Sequence, residues 1–165
     1  MEIIKFATEW AKAEVFSARF FIFFALLLLA GSVGFWQLGK TEIARSFIIP
    51  SLVTGILLLA VGVGIFYANK SRITSFQEAY EKDPQAFVQS EILRTDKSLG
   101  EYRTIVFKII PMIIVAAALL IVFFQNPSVR AASILTIGMM VVILLVDSNA
   151  NARLQEYRAE LEKVG

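Results

Sequence analysis

Few side chains in this sequence could carry out chemistry. The 165 residues include no cysteine and no histidine, which excludes thiolate nucleophiles, disulfides, imidazole bases and the usual zinc sites. The carboxylates nearest the apolar segments are Glu14, Glu101 and Asp147, and each lacks the neighbouring base or nucleophile that a hydrolase or transferase needs. We therefore expect a protein that is not an enzyme and that holds no cofactor or metal.

The most specific pair of charges is Lys108 with Asp147. Lys108 precedes the polar turn around residues 125–130, and Asp147 follows it at a similar distance along the chain. In an antiparallel helix pair both would reach the same depth, where opposite charges attract more strongly than in water. We predict a structural ion pair. The alternatives are that Asp147 is a proton or cation site at a pore mouth, or that it lies free among lipid headgroups.

Four apolar segments must position these residues. The mean hydropathy is +0.68 and 57% of the residues are hydrophobic, compared with about 45–50% in soluble proteins. An α-helix rises by about 1.5 Å per residue, so about 20 apolar residues cross the hydrocarbon core. We predict an all-α integral membrane protein with four transmembrane helices in two hairpins. The predicted helices are residues 20–38, 46–68, 105–124 and 131–148.

Three further segments have the periodicity of amphipathic helices. They are residues 1–18, the connector at residues 69–104, and residues 149–165. Within the connector, Asp83-Pro84 is typical of a helix start and Lys97–Gly100 indicates a turn, so we expect two short helices there. The first would continue the second transmembrane helix. We expect the N-terminal helix to lie among the headgroups or to pack on the bundle; the alternative is that it binds a partner.

Small and aromatic residues predict where helices pack and where the membrane ends. Small residues four positions apart allow close helix contact, although Gly55, Gly62 and Gly64 could instead form a hinge or line a pore. Aromatic residues are frequent at membrane interfaces. The helix-packing candidates are Ala30, Gly34, Ala60, Gly64 and Ala68, and the interface anchors are Trp10, Trp36 and Tyr67.

The distribution of Lys and Arg predicts the orientation. Most of them lie in the two terminal segments and the connector, and the opposite side keeps Lys40, Arg45 and Arg130. The positive-inside rule therefore places both termini and the connector in the cytoplasm, with the chain in the plasma (inner) membrane. A short similarity between residues 68–72 and 150–153 leaves open a duplication of the hairpin.

Charge and placement limit the functional classes. A net charge of +2 is too small for nucleic-acid binding, and the connector is charge-balanced. No charged residue lies at the centre of a predicted span, which argues against ion-coupled transport by one chain. We expect a protein that interacts with the lipid bilayer and, through its cytoplasmic face, with a protein partner or itself. It would be an accessory subunit or a protective, immunity-type protein; the alternative is a homo-oligomeric channel or small transporter.

Overall fold

The computed structural model describes residues 2–164, which form helices joined by short turns. The predicted segments 1–18 and 149–165 each extend one residue beyond this range. No strand occurs within it, so the all-α prediction is confirmed. The elements are α1 (Glu2–Leu38), α2 (Glu42–Ser46), α3 (Ile48–Lys82), α4 (Pro84–Glu101), a π-helix (Tyr102–Ile109), α5 (Ile110–Phe123) and α6 (Pro127–Glu162).

Four helical runs are long and apolar enough to cross a membrane, as the sequence predicts. They are Glu2–Leu38, Glu42–Lys82, Pro84–Phe123 and Pro127–Glu162. Each is much longer than the about 20 residues that a bilayer requires. The bundle therefore has two parts, and we call them the apolar half, which contains the hydrophobic segments, and the polar half, where the other ends of α1, α3 and α6 meet α4.

Helix α1 joins two segments that the sequence divides. The predicted amphipathic helix 1–18 and transmembrane helix 20–38 form one helix, because no glycine or proline interrupts residues 18–20 and the same face is buried on both sides. Buried positions recur every three or four residues, which is the spacing of a continuous helix-packing seam. They include Ile3, Ala7, Trp10, Glu14, Ser17, Phe21, Ala25 and Ser32.

Helices α1 and α3 are an antiparallel pair that packs along most of its length. At one end the Ser32 hydroxyl donates to the Ile48 carbonyl at 2.8 Å. At the other, the guanidinium carbon of Arg72 lies 5.9 Å from the centre of the Trp10 ring. Helix α6 packs against α1, α3, α4 and α5, whereas α5 contacts only α6 and the π-helix. The fourth run is therefore central and the third is peripheral.

The predicted turn at residues 97–100 does not exist. These residues belong to α4, which continues through the π-helix into α5 without a break. Leu99 and Tyr102 pack against the core of the polar half, and this tertiary contact outweighs the weak local preference of Gly100 for a turn. A π-helix this long is rare, and π-turns often occur at functional sites.

The helix starts follow local capping chemistry. Asp83 caps α4 as the sequence predicts: its carboxylate accepts from the Ala86 amide at 3.0 Å, and Pro84 occupies the first turn. Asn126 caps α6 in the same way. Between the first two predicted transmembrane helices, Thr41 caps the short helix α2. Capping is local, so short sequence patterns suffice to predict it.

Each half has its own core. In the polar half, Trp10, Phe76, Phe87, Leu154 and Tyr157 belong to one cluster of buried side chains. Leu161 of α6 belongs to the same cluster, whereas Val164, beyond the end of this helix, is exposed. In the apolar half the buried core is Phe21, Ala25 and Leu58.

The close helix contacts lie at other small residues than the sequence suggests. Ala30, Ala60, Gly64 and Ala68 are exposed, and a Cβ added at Gly34 or Gly64 would meet nothing within 4 Å. Helix α3 instead approaches α1 at Gly55 and Gly62. A Cβ at Gly62 would lie 2.9 Å from side-chain atoms of Phe21 and Ile22. Small residues recur on several faces of α3, so their spacing alone does not identify the packed one.

Of the three predicted aromatic anchors, one is buried and two are exposed. Trp10 is buried in the core of the polar half, stacked on Tyr157 with ring centres 5.5 Å apart, so it is a core residue and not an interface anchor. Trp36 and Tyr67 are 71% and 67% exposed at opposite ends of the apolar segments, which suits interface positions.

We predict that Gly62→Ala destabilises the protein by about 1–3 kcal/mol, because overpacking forces the α1–α3 contact apart. Gly64→Ala is the matched control, since it adds the same methyl group to the same helix in open space. Unfolding by denaturing detergent in mixed micelles measures both. Equal stability of the two variants would contradict the close contact at Gly62.

Candidate functional site

A polar chamber of about 300 Å³ lies where the two halves meet, between α1, α3, α4, the π-helix and α6. Small residues of α3, Gly64 and Ala68, form part of its wall. The size is at the lower end of the range of small-molecule sites, which is about 300–1,000 Å³. Its ionisable lining residues are Glu14, Arg72, Arg94, Tyr102 and Asp147.

One wall is fixed by an ion pair between α1 and α6. Both Arg153 Nε and Nη2 donate to Glu14 Oε1, at 3.2 and 2.8 Å, and Nη2 also donates to the Ser17 hydroxyl at 2.8 Å. The Glu14 side chain is only 8% exposed. A buried carboxylate is unfavourable unless it is paired and hydrogen-bonded, so Glu14 requires α6 to lie where it does.

A second buried carboxylate fixes α4. Glu91 accepts from Arg94 Nε and Nη2 at 2.9 and 2.6 Å, and the Tyr157 hydroxyl of α6 donates to its Oε2 at 3.0 Å. Burial, the charge of Glu91 and this hydrogen bond raise the pKa of Tyr157 above its ordinary value. Arg158 adds a more exposed contact between α6 and α4, donating to Asp96 at 2.7 Å.

Arg72 differs from Arg94 and Arg153 because no carboxylate contacts it. Among residues 2–164 its one hydrogen bond is from Nη1 to the side-chain oxygen of Asn69, at 2.7 Å, and no ion pair includes it. Burial and the nearby charge of Arg94 lower the pKa of Arg72, although the charges of Glu91 and Glu14 act in the opposite direction. The chamber therefore contains a half-buried cation beside a second cation, and its charge is not compensated by direct contact.

Asp147 is the opposite case. Within the described chain it forms no hydrogen bond or ion pair, and the charge of the other chamber carboxylate, Glu14, acts on it. A side cleft of about 250 Å³ shares Asp147, Ser98 and Tyr102 with the chamber and reaches the π-helix. No partner within residues 2–164 is found for the Ser98 and Tyr102 hydroxyls.

The predicted ion pair between Lys108 and Asp147 is not formed. Lys108 is exposed on the π-helix and belongs to none of the ion pairs between described residues, whereas Asp147 lines the chamber and the side cleft. Counting residues from the turn compares depth along the helix axes but not direction around them. A π-helix also has more residues per turn than an α-helix. A count that assumes α-helical geometry therefore gives the wrong direction for the Lys108 side chain around the helix axis.

The sequence singled out Glu14 and Asp147 as carboxylates near the apolar segments, but it did not indicate the ion pairs that build this site. Glu14, Glu91 and Arg153 occur in segments where charged residues alternate with apolar ones, and nothing local distinguishes a buried carboxylate from its exposed neighbours. The one available signal is spacing: Glu14 falls on the same three-or-four stripe as Trp10 and Phe21. A charged residue on a buried stripe indicates a paired group.

The described residues contain no group of three or more acidic side chains placed to hold a metal ion. The chamber has hydrogen-bond donors and acceptors of both charges, and these suit non-covalent binding of a small polar group. Comparison with known proteins found no matching family model, no similar curated protein and no similar solved structure. The interpretation of the chamber therefore depends on its geometry.

We predict that Tyr157→Phe lowers the free energy of unfolding by about 1–2 kcal/mol near neutral pH, since it removes a buried hydrogen bond to a charged group. Tyr67→Phe, at an exposed tyrosine, should leave it unchanged. Unfolding in mixed micelles, followed by circular dichroism, compares the two.

The stability that Tyr157 contributes should depend on pH. An unfolded tyrosine loses its proton near pH ~10, whereas the raised pKa keeps folded Tyr157 protonated. The unfolded state is therefore favoured as the pH rises above this value. Wild-type protein should lose stability more steeply than Tyr157→Phe between neutral and strongly alkaline pH. Parallel curves would contradict a buried, hydrogen-bonded Tyr157.

Proposed function

We propose that this protein is a non-enzymatic membrane protein that binds a protein partner through its polar half. In this proposal the apolar half spans the plasma membrane, and both termini and the connector are cytoplasmic. The protein would act as an accessory subunit of a membrane complex or as a protective, immunity-type protein. The observation that carries the proposal is an uncharged, exposed face on α4.

This α4 face lies on the outside of the polar half. From the start of α4 to Leu93 every exposed residue is uncharged, and the only charged side chain in this stretch, Glu91, is buried against Arg94 and Tyr157. Leu93 is 71% exposed. The residues of the α4 face are Pro84, Gln85, Ala86, Gln89, Ser90 and Leu93.

The other helices of the polar half present a different surface. The exposed positions of α1 include Lys5, Glu9 and Lys12, and those of α6 include Glu156 and Glu162. The central part of a protein–protein interface is depleted of charged residues, so the α4 face suits partner binding better than either neighbour. The ion pairs beneath it hold α4 in place, which lowers the entropic cost of binding.

A homo-oligomeric channel or small transporter is the second candidate. Helix α5 contacts only α6 and the π-helix, so its remaining apolar surface could associate with other copies. Polar groups usually line a pore, but α5 contains no charged, hydroxyl or amide side chain. Within one chain, the buried residues Phe21, Ala25 and Leu58 pack together between helices of the apolar half. Both features favour the first candidate.

We predict that Ala86→Glu and Leu93→Glu abolish binding of the native partner while the helical content and melting temperature stay within error. Ala159→Glu is the matched control, because it adds the same charge at an exposed alanine of α6. Photo-crosslinking from position 89 in cells, followed by native mass measurement of the purified complex, gives the readout. A symmetric oligomer of this chain alone, with ion conductance in liposomes, would instead support the channel.

The orientation can be tested independently because the chain has no native cysteine. We predict that Lys40→Cys and Gln125→Cys react with a membrane-impermeant thiol reagent added to intact cells. Gln85→Cys and Lys163→Cys should react only after the membrane is opened. All four positions are exposed, so differences in labelling report the side of the membrane. The reverse pattern would refute the proposed cytoplasmic position of the polar half.

A further inference from the structure

We propose that the chamber binds a phosphoethanolamine group, the zwitterionic headgroup of a phosphatidylethanolamine lipid in the cytoplasmic leaflet. The proposal concerns the chamber and is independent of partner binding at the α4 face. It is carried by two pairs of like charges within one chamber, Arg72 with Arg94 and Asp147 with Glu14.

The arginine pair favours an oxyanion. Arg94 is paired with Glu91, but among the described residues Arg72 has only the amide oxygen of Asn69 as a hydrogen-bond partner, besides its position 5.9 Å from the centre of the Trp10 ring. A guanidinium binds a phosphate through strong, charge-assisted hydrogen bonds. A phosphate between these arginines would compensate the charge of Arg72 and relieve its repulsion with Arg94. The phosphate would therefore lie on the α3 side of the chamber.

The carboxylate pair favours a cation. Glu14 is paired with Arg153, whereas Asp147 has no contacting cation within residues 2–164. An ammonium group carries three hydrogen-bond donors and would be attracted by both carboxylates. The Tyr102 hydroxyl lines the same space and can accept one of these hydrogen bonds. A ligand with an ammonium and a phosphate therefore complements the chamber better than either ion alone.

The position of the chamber favours a lipid over a soluble zwitterion. It lies where the apolar segments end, at the depth of the headgroups if the apolar half spans the membrane. Helix α5 has no contact with α3, so the π-helix side is open, and the cleft lined by Ile65, Ile105 and Val106 leads from the chamber toward it. The headgroup could enter through this opening while its acyl chains remain in the bilayer.

Trp10 provides a direct reporter of binding. It lines the chamber, and the chain has only 2 tryptophans. The second, Trp36, is exposed at the other end of α1. The variant Trp36→Phe in a nonionic detergent therefore gives a fluorescence signal from the chamber alone. The probe is short-chain phosphatidylethanolamine, compared with phosphatidylcholine and phosphatidylglycerol of the same chain length.

We expect a saturable change in Trp10 fluorescence with phosphatidylethanolamine. Phosphatidylcholine keeps the phosphate but has no N–H donor, and phosphatidylglycerol has no ammonium. Each should bind at least about tenfold more weakly, since a charge-assisted hydrogen bond or ion pair is lost. Equal binding of phosphatidylethanolamine and either other lipid, or no saturation, would overturn the proposal. This comparison uses one protein, so its result does not depend on the folding of chamber variants.

Substitutions assign the two ends of the ligand. Asp147→Asn should abolish the preference for phosphatidylethanolamine over phosphatidylcholine, whereas Arg72→Gln should weaken both by a similar factor. Glu78→Gln and Lys70→Gln, at exposed positions of α3, are the matched controls and should leave binding unchanged. An Asp147→Asn protein that is folded by circular dichroism and keeps the full preference would refute the assigned ammonium site.

Free phosphoethanolamine distinguishes the source of the headgroup. We expect it not to displace the bound lipid at concentrations equal to that of the lipid, because only the lipid also buries its glycerol and acyl chains in the cleft. Displacement at equal concentration would overturn the lipid assignment and identify a soluble zwitterion as the ligand.

Discussion

Two buried carboxylates determine how the polar half is arranged. Glu14 on α1 and Glu91 on α4 are unfavourable in a buried environment unless cations and hydroxyls surround them. Helix α6 supplies one partner to each of them: Arg153 donates to Glu14, and Tyr157, about one turn further along, donates to Glu91. Because the partners of both carboxylates lie on α6, the positions of α1 and α4 are coupled. The chamber is the space that this arrangement leaves between the helices.

The same constraint explains why some charges in the chamber are not compensated. The ion pairs of Glu14 and Glu91 use Arg153 and Arg94, so Arg72 and Asp147 remain without contacting counter-ions among residues 2–164. A protein that needed only stability could replace such groups with apolar ones at little cost. Charges without a contacting counter-ion that face a cavity are instead typical of binding sites. The proposed headgroup site follows from this imbalance, whereas the proposed partner surface follows from the absence of charge on α4.

The proposed headgroup site and the α4 face lie on opposite sides of the core of the polar half. The Trp10–Tyr157 stack and Phe87 form the core between the chamber and the outer face of α4. Helix α4 continues through the π-helix into α5, so a change in the position of α4 would be transmitted to the segment that borders the side cleft. Partner binding and headgroup binding would then act on a common rigid element.

The sequence by itself determined the number of long apolar helices and the cap at Asp83. Hydropathy and capping depend on residues close together in the chain, so local patterns suffice to predict them. Only the tertiary structure decided that Gly62, not Gly64, meets α1, that Trp10 is in the core, and that Lys108 does not pair with Asp147. These outcomes depend on the direction of each side chain around its helix and on which helices are neighbours, and residue spacing within one segment specifies neither.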